Sequence, residues 1–194
     1  MTVISWDEFI RSEGHPAAVT MGVFDGVHRG HQALINRIVE RGPFPTVITF
    51  AQNPKGVLSP ASYKGDIQTL DQRLRTFEEM GVERVVLIDF SEDFSRIKGS
   101  DFIGSVMSRG KLAFLALGAN FRCGFRLDFG AAEIEGFVQK GNIPVEVFEP
   151  LREGGKPISS SRIRQAIRAG AFEEAALLLG RAWPDGPGPL NLYP

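Results

Sequence analysis

The stretch Ala17–Gln32, AAVTMGVFDGVHRGHQ, changes backbone habit twice. Ala17–Val23 is an almost unbroken apolar run, which suits a strand covered on both faces rather than one with a wet side. Gly22 and Gly26 flank Phe24 and Asp25, so the chain can turn sharply straight off the strand. An amphipathic helical pattern then runs over His31–Arg41. The same alternation repeats outward from this unit. Short apolar runs at Thr46–Phe50, Arg84–Asp89, Leu112–Gly118 and Ile143–Phe148 predict four more strands. Helical patterns over Leu70–Met80, Asp101–Ser108 and Ala132–Lys140 separate them, the middle one opened by Gly99, Ser100 and Asp101 as a capping segment. Strand, helix, strand in succession predicts an α/β fold, a Rossmann-like, doubly wound, mainly parallel five-stranded sheet. Two C-terminal helices, Ser161–Ala169 and Phe172–Leu179, follow the last strand, with Gly170 between them.

Composition narrows the function classes. The 194 residues suit one domain, which buries about 70% of its unfolded surface. Lys and Arg number 22 against 23 Asp and Glu, so no whole-chain field favours nucleic acid or a membrane surface. The one cysteine, Cys123, cannot form an internal disulfide and is too few for a cysteine-based zinc site. No apolar run approaches the ~20 residues of a membrane span, and the N-terminus is charged within its first ten residues, unlike a signal peptide. These features predict a cytoplasmic, soluble, single-domain protein. Residues 183–194, WPDGPGPLNLYP, form a Pro/Gly-rich tail expected to be irregular.

Ligands of open α/β sheets bind outside the carboxyl ends of the strands, which directs attention back to the turn after the first strand. His28 and His31 are three residues apart where the next helix begins, so both imidazoles can sit on one side of its N-terminus. Free N–H groups and the positive pole of the helix dipole make that end an anion site. Gly30 between them allows a bulky ligand to approach the backbone. Two histidines at this spacing could also ligate a metal, but the remaining candidates are only His15 and the distant Cys123. A second cationic set lies in Gly154–Gly170, GGKPISSSRIRQAIRAG, where Lys156, Arg162, Arg164 and Arg168 stand with no acidic residue. Ser159, Ser160 and Ser161 can cap the helix or bind a ligand oxygen. Arg162 and Arg164 fall in its first turn, unfavourable against the dipole unless an anion is present. The bland alternative is a Ser-capped surface helix with solvated arginines. Two cationic sets together suit a polyphosphate.

Gly22–Gln32, GVFDGVHRGHQ, resembles the signature of the H-x-G-H nucleotidyltransferases, and its longer F-D-G-V-H form resembles their FMN adenylyltransferase branch, the N-terminal domain of bacterial bifunctional riboflavin kinase/FAD synthetases. Thr49–Lys55, TFAQNPK, is similar to that family's T-F-x-P-H-P-R loop, and Gly118–Gly124, GANFRCG, to its G-x-D/N-F-R-F-G. Ile158–Arg164, ISSSRIR, resembles I-S-S-T-x-I-R, and Leu178–Arg181, LLGR, the closing L-L-G-R. The similarity spans residues 15–182, and implies a nucleotidyltransferase domain over residues 1–182 with no riboflavin kinase domain after it.

The resemblance implies that ATP and FMN are the partners, FAD and pyrophosphate the products, and Mg²⁺ the ion carried on the ATP phosphates, with no metal held by protein side chains. His28, His31 and Arg164 take the catalytic places of the motifs. Gly22, Phe24, Asp25, Gly30, Ser160 and Ser161 take the ATP-binding ones, and Asn53, Pro54, Asn120 and Phe121 those facing the flavin or other acceptor. Three departures stand out: Asn53 for the family's His, Lys55 for Arg, and Cys123 for an aromatic residue. They motivate two alternatives, nucleotidyl transfer to a different phosphate acceptor and a non-catalytic flavin- or nucleotide-binding module.

Overall fold

The computed structural model describes residues 1–109 and 111–182. In chain order its strands are β1 (Thr2–Ser5), β2 (Ala17–Met21), β3 (Thr46–Phe50), β4 (Arg84–Ile88) and β5 (Leu112–Gly118). A short hairpin of β6 (Arg122–Cys123) and β7 (Phe129–Gly130) follows, then β8 (Val145–Phe148) and a second small pair, β9 (Arg152–Glu153) and β10 (Lys156–Pro157). The helices are α1 (Trp6–Arg11), α2 (Arg29–Arg41), α3 (Pro54–Leu58), α4 (Leu70–Glu79) and α5 (Glu92–Ser95), followed by α6 (Gly99–Arg109), α7 (Ala131–Gln139), α8 (Ser160–Arg168) and α9 (Phe172–Leu179).

One sheet runs β1-β4-β3-β2-β5-β8, with every neighbouring pair parallel. The alternation of strand and helix is therefore the α/β architecture expected. Side chains alternate across each strand into two apolar layers, which is why the strands read as unbroken apolar runs. Val19, Met21, Val86 and Leu115 join Phe9, Phe102, Ile103 and Ile134 on one side. Ala18, Val47, Val85 and Ala116 join Ile35, Ile38 and Phe77 on the other. Helices α8 and α9 form a smaller cluster with Ile67, built on Ile163, Ala175, Leu178 and Leu179.

The sheet has six strands rather than the five expected. The extra one, β1, is a four-residue edge strand pairing Thr2 with Arg84 through to Ser5 with Leu87. Only Ile4 among its residues is even half-buried, so it lacks the apolar run that marks the others. Its readable signal was the turn that follows. Ser5 Oγ accepts the Glu8 N–H at 3.2 Å while Glu8 Oε2 accepts the Ser5 N–H at 2.7 Å, a capping box that starts α1. Trp6 then packs on Phe102, ring centroids 5.1 Å apart. Replacing Ser5 with alanine is expected to cost about 1 kcal/mol, read as a fall in Tm of about 2–4 °C; an unchanged melt would show that α1 is held by Trp6 and Phe9 alone.

Helix α6 begins at Gly99, two residues before the predicted Asp101, because its cap is tertiary: Asp128 Oδ1 in the hairpin region accepts the Gly99 N–H at 3.1 Å. A Cβ on Gly99 would overlap Phe129, so glycine is what allows helix and hairpin to meet. The Pro/Gly-rich segment 183–194 lies outside the described residues.

The strand order turns at β2, with β3, β4 and β1 on one side and β5 and β8 on the other. The loops after β2 and β5 diverge at that point, leaving the crevice in which open α/β sheets bind ligands.

Candidate active site

The loop from β2 to α2 is held in an unusual backbone form. Phe24, Gly26 and Val27 have φ of +51°, +81° and +36°. For Phe and Val this region costs on the order of 1–3 kcal/mol each. Burial offsets it: Phe24 and Val27 are 1% and 0% exposed, and Phe24 packs edge-on against Phe77 at 5.7 Å. A Cβ on Gly22 would stand 3.3 Å from the Phe24 ring, so the glycine lets that ring fold back beneath the turn.

His28 caps the N-terminus of α2, its Nδ1 accepting the His31 N–H at 3.4 Å. The two imidazoles stack with centroids 3.6 Å apart and planes 16° from parallel. Gly30 makes this possible: a Cβ there would lie 3.2 Å from the His28 ring. The space beside Gly30 is thus filled by His28, and the approach expected there for a ligand belongs to the imidazoles. Burial pushes the His28 imidazole down to about 4. His31 is also held well below its ordinary value, by burial first and then by His28 and Arg73. Both rings are therefore neutral near pH 7, each with one N–H to donate.

A pH dependence follows. Unfolded His28 binds its proton near pH 6.5 and the folded protein only near 4, so between those values the unfolded state holds more protons and stability falls with acidity. The loss from pH 7 to pH 4 is about 3 kcal/mol for this one residue. Urea unfolding of wild type and His28→Asn across that range checks it: the two curves should diverge below pH 6, and parallel curves would rule the linkage out.

Asp25, 3% exposed, ties three segments together. Its Oδ1 accepts the Ile67 N–H at 2.7 Å, its Oδ2 pairs with Arg164 of α8, and its carbonyl accepts Ser160 Oγ at 2.9 Å. Burial raises the Asp25 carboxyl above its ordinary value, and the Arg164 charge opposes that rise. Arg164 also donates from Nε to Gly65 O at 2.8 Å. For Arg164 a carboxylate remote in the chain thus supplies what Gly154–Gly170 lacks. Arg162 likewise pairs with Glu174 of α9 at 2.8 Å and donates to Glu153 O. Its position at the start of α8 is explained without an anion. Ser159, not Ser160 or Ser161, is the cap, accepting the Arg162 N–H at 3.2 Å.

Asn53 has a structural task as well. Its Oδ1 caps α3 by accepting the Lys55 N–H at 3.2 Å, and its Nδ2 donates to Asp66 at 2.8 Å. Pro54 opens that helix. Asn120 and Phe121 follow β5 on the far side of the switch point.

A cleft of about 800 Å³ joins these parts. It is lined by every predicted site residue except Gly30: Gly22, Phe24, Asp25, His28 and His31 from the β2 turn, Asn53 and Pro54 after β3, Asn120 and Phe121 after β5, and Ser160, Ser161 and Arg164 on α8. Its other lining includes an aromatic group of Phe50, Phe90, Phe94 and Phe102 and the cationic side chains of Lys55, Arg122 and Arg126. A volume of this size, part aromatic and part cationic, suits a flat apolar group joined to an anionic one. Among the described residues no three His, Cys, Asp or Glu side chains converge to hold a metal ion. Cys123 also lines the cleft, and burial pushes its thiol up to about 12, so it is no nucleophile near neutral pH.

Two supporting arginines had no role in the sequence reading, Arg73 being absent from it and Arg181 only the last residue of the LLGR motif. Arg73 of α4 is 3% exposed and donates to the carbonyls of Val23 at 2.7 Å and Phe50 at 2.9 Å. It lies three residues after Leu70 and four before Phe77 on the apolar face of α4, and a charge on that face was the signal available. Arg181 donates to Gly26 O at 2.7 Å and Val27 O at 3.0 Å, so residues after α9 brace the strained turn.

The family model described as FAD synthetase matches residues 10–162. The chain belongs to the FAD synthetase family. A bifunctional riboflavin kinase/FMN adenylyltransferase from Pseudomonas fluorescens is 30% identical over 179 residues, 89% of this chain and 57% of its own. An FAD synthetase from Listeria monocytogenes is 26% identical over 88% of this chain and 71% of its own. A solved structure described as a macrolide-efflux protein from Streptococcus pneumoniae matches with a TM-score of 0.80 and 28% identity, over 93% of this chain and 62% of that one. This FAD synthetase family chain thus spans less than two thirds of the bifunctional relative and of the solved structure. Among its described residues no helix is long and apolar enough to cross a membrane.

Proposed function

We propose that this chain is an FMN adenylyltransferase, transferring AMP from ATP to FMN to give FAD and pyrophosphate. The observation that carries the proposal is the stacked, neutral His28–His31 pair at the N-terminus of α2, facing a cleft at the sheet's switch point. Membership of the FAD synthetase family supports the choice of substrates.

In this reading a phosphate oxygen of FMN attacks the α-phosphorus of ATP, the bond from that phosphorus to the α,β-bridging oxygen breaks, and pyrophosphate leaves. No protein nucleophile is needed, so the protein contributes positioning and charge stabilisation. The imidazoles of His28 and His31 donate hydrogen bonds to the ATP phosphates as charge shifts onto the leaving group, aided by the N–H groups at the start of α2. Ser160, Ser161 and Arg164 stand on the triphosphate side. The aromatic group, with Phe50 and Phe90, takes the flavin ring, and Asn120 and Phe121 border it. Magnesium enters as part of the substrate, on phosphate oxygens. Asp25, the buried carboxylate of the site, is already committed to Arg164 and the Ile67 N–H.

The direct test mixes the protein with ATP, Mg²⁺ and FMN and follows FAD by chromatography, beside a tube holding riboflavin in place of FMN. FAD should form from FMN and not from riboflavin, which lacks the attacking phosphate. ATP binding without FAD would move the reading to another phosphate acceptor or to a binding role.

A further inference from the structure

We propose that Arg73 is a positioning residue for the transfer reaction. Its guanidinium holds the loop after β2 and the loop after β3 in one register and sets a permanent positive charge behind His31. The inference rests on the adenylyltransferase reading above for its reaction and on the packing of α4 for its geometry.

The partners of Arg73 come from both halves of the cleft. Nη1 donates to Val23 O at 2.7 Å and to Thr49 Oγ1 at 3.3 Å; Nη2 donates to Phe50 O at 2.9 Å and, more weakly, to Ala51 O at 3.4 Å. Val23 precedes Phe24 and Asp25 on the nucleotide side. Phe50 and Ala51 lead to Asn53 and Pro54 on the acceptor side. Thr49 Oγ1 closes the arrangement by donating to Val23 O at 3.2 Å. In-line transfer requires the acceptor oxygen and the α-phosphorus to be held within a few tenths of an ångström of their reacting geometry, and this one side chain spans the two loops that carry them.

All four partners are neutral. Hydrogen bonds to carbonyls need only a donor, and a buried cation is a costly way to provide one. A guanidinium adds to an amide a second NH2 group, which the bonds to the β3 end use, and a field, since it keeps its charge at any physiological pH. The catalytic-site group exposed to that field is His31. Its ring packs on Phe24 at 5.1 Å, and Phe24 packs on Phe77, one turn along α4 from Arg73. The titratable groups acting on His31 are His28 from its own helix terminus and Arg73 from α4, both disfavouring its proton. From α8, the Arg164 charge is taken up by Asp25. His31 Nδ1 is buried without a hydrogen-bond partner, and so is Arg73 Nε. The Arg73 charge, itself faced by Asp66 and Asp25, adds to burial and to His28 in holding His31 neutral.

Arg73→Gln and Arg73→Lys test this in the intact chain, with a thermal melt to establish that each is folded. Two readouts are taken: FAD formation at saturating substrates, with KM for ATP, and the titration of the His31 ring by nitrogen-15 NMR without substrate. Arg73→Gln should lower kcat by about tenfold or more with little change in KM, and His31 should take its proton at a higher pH than in wild type. Arg73→Lys keeps the charge but not the fork, so His31 should titrate as in wild type while kcat stays low. A folded Arg73→Gln protein with wild-type kcat, or with an unmoved His31 titration, overturns the proposal. Should Arg73→Gln fail to fold, Arg73→Lys decides: a wild-type kcat overturns the proposal. If wild type itself makes no FAD, the adenylyltransferase reading fails, and the His31 titration judges the charge of Arg73 without reference to turnover.

Discussion

His28→Ala is expected to lower the rate of FAD formation by about 10²-fold or more, the scale for losing one donor that meets developing charge. The imidazole does two things, and both go in this variant. It offers an N–H to the ATP phosphates, and its Nδ1 accepts the His31 N–H, so His31 loses both its cap and its stacking partner. His28→Asn separates the two roles, because asparagine is among the best N-cap residues and has no ring. The asparagine variant should melt close to wild type and be nearly as slow as the alanine variant. Steady-state rates on both, at saturating ATP and FMN, check this. Wild-type turnover in folded His28→Asn would remove His28 from the mechanism and leave it a structural cap.

Asp25→Ala is expected to lower the unfolding free energy by about 3–5 kcal/mol, the cost of leaving one member of a buried ion pair unpaired. Asp25 and Arg164 side chains are 4% and 12% exposed, so water cannot replace the lost partner. The Ile67 N–H is orphaned by the same change. Adding Arg164→Met should recover part of the loss, because the double variant no longer buries a lone charge. Urea unfolding of the two single variants and the double variant gives the coupling directly. A single Asp25→Ala cost below about 1 kcal/mol, or strict additivity, would show the pair to be hydrated. Both arms bear on function, since Arg164 stands on the triphosphate side of the proposed mechanism and Asp25 sets where it starts.

The architecture was legible in the sequence, and so was the turn after β2. Strands covered on both faces have no polar alternation, so β2, β3, β4 and β5 stood out as apolar runs, and the pattern between them could only be helices. The β2 turn was legible because glycine and histidine at fixed spacing are tied to local geometry: Gly22 and Gly26 permit the turn, and His28 and His31 fall on one side of a helix start. Tertiary structure decided whatever depended on partners remote in the chain. The pairing of Asp25 with Arg164 spans 139 residues, and no local rule links them. Two of the four cations of Gly154–Gly170 looked uncompensated because their carboxylates lie elsewhere: Glu174 for Arg162, Asp25 for Arg164. Strand β1 was hidden for a related reason, since an edge strand takes its stability from the backbone of β4 and needs no apolar run of its own. Arg73 reads as one more charge on a helix. Only packing shows it inside the molecule, joining two strand ends behind His31, because burial is a property of what the rest of the chain places around a residue.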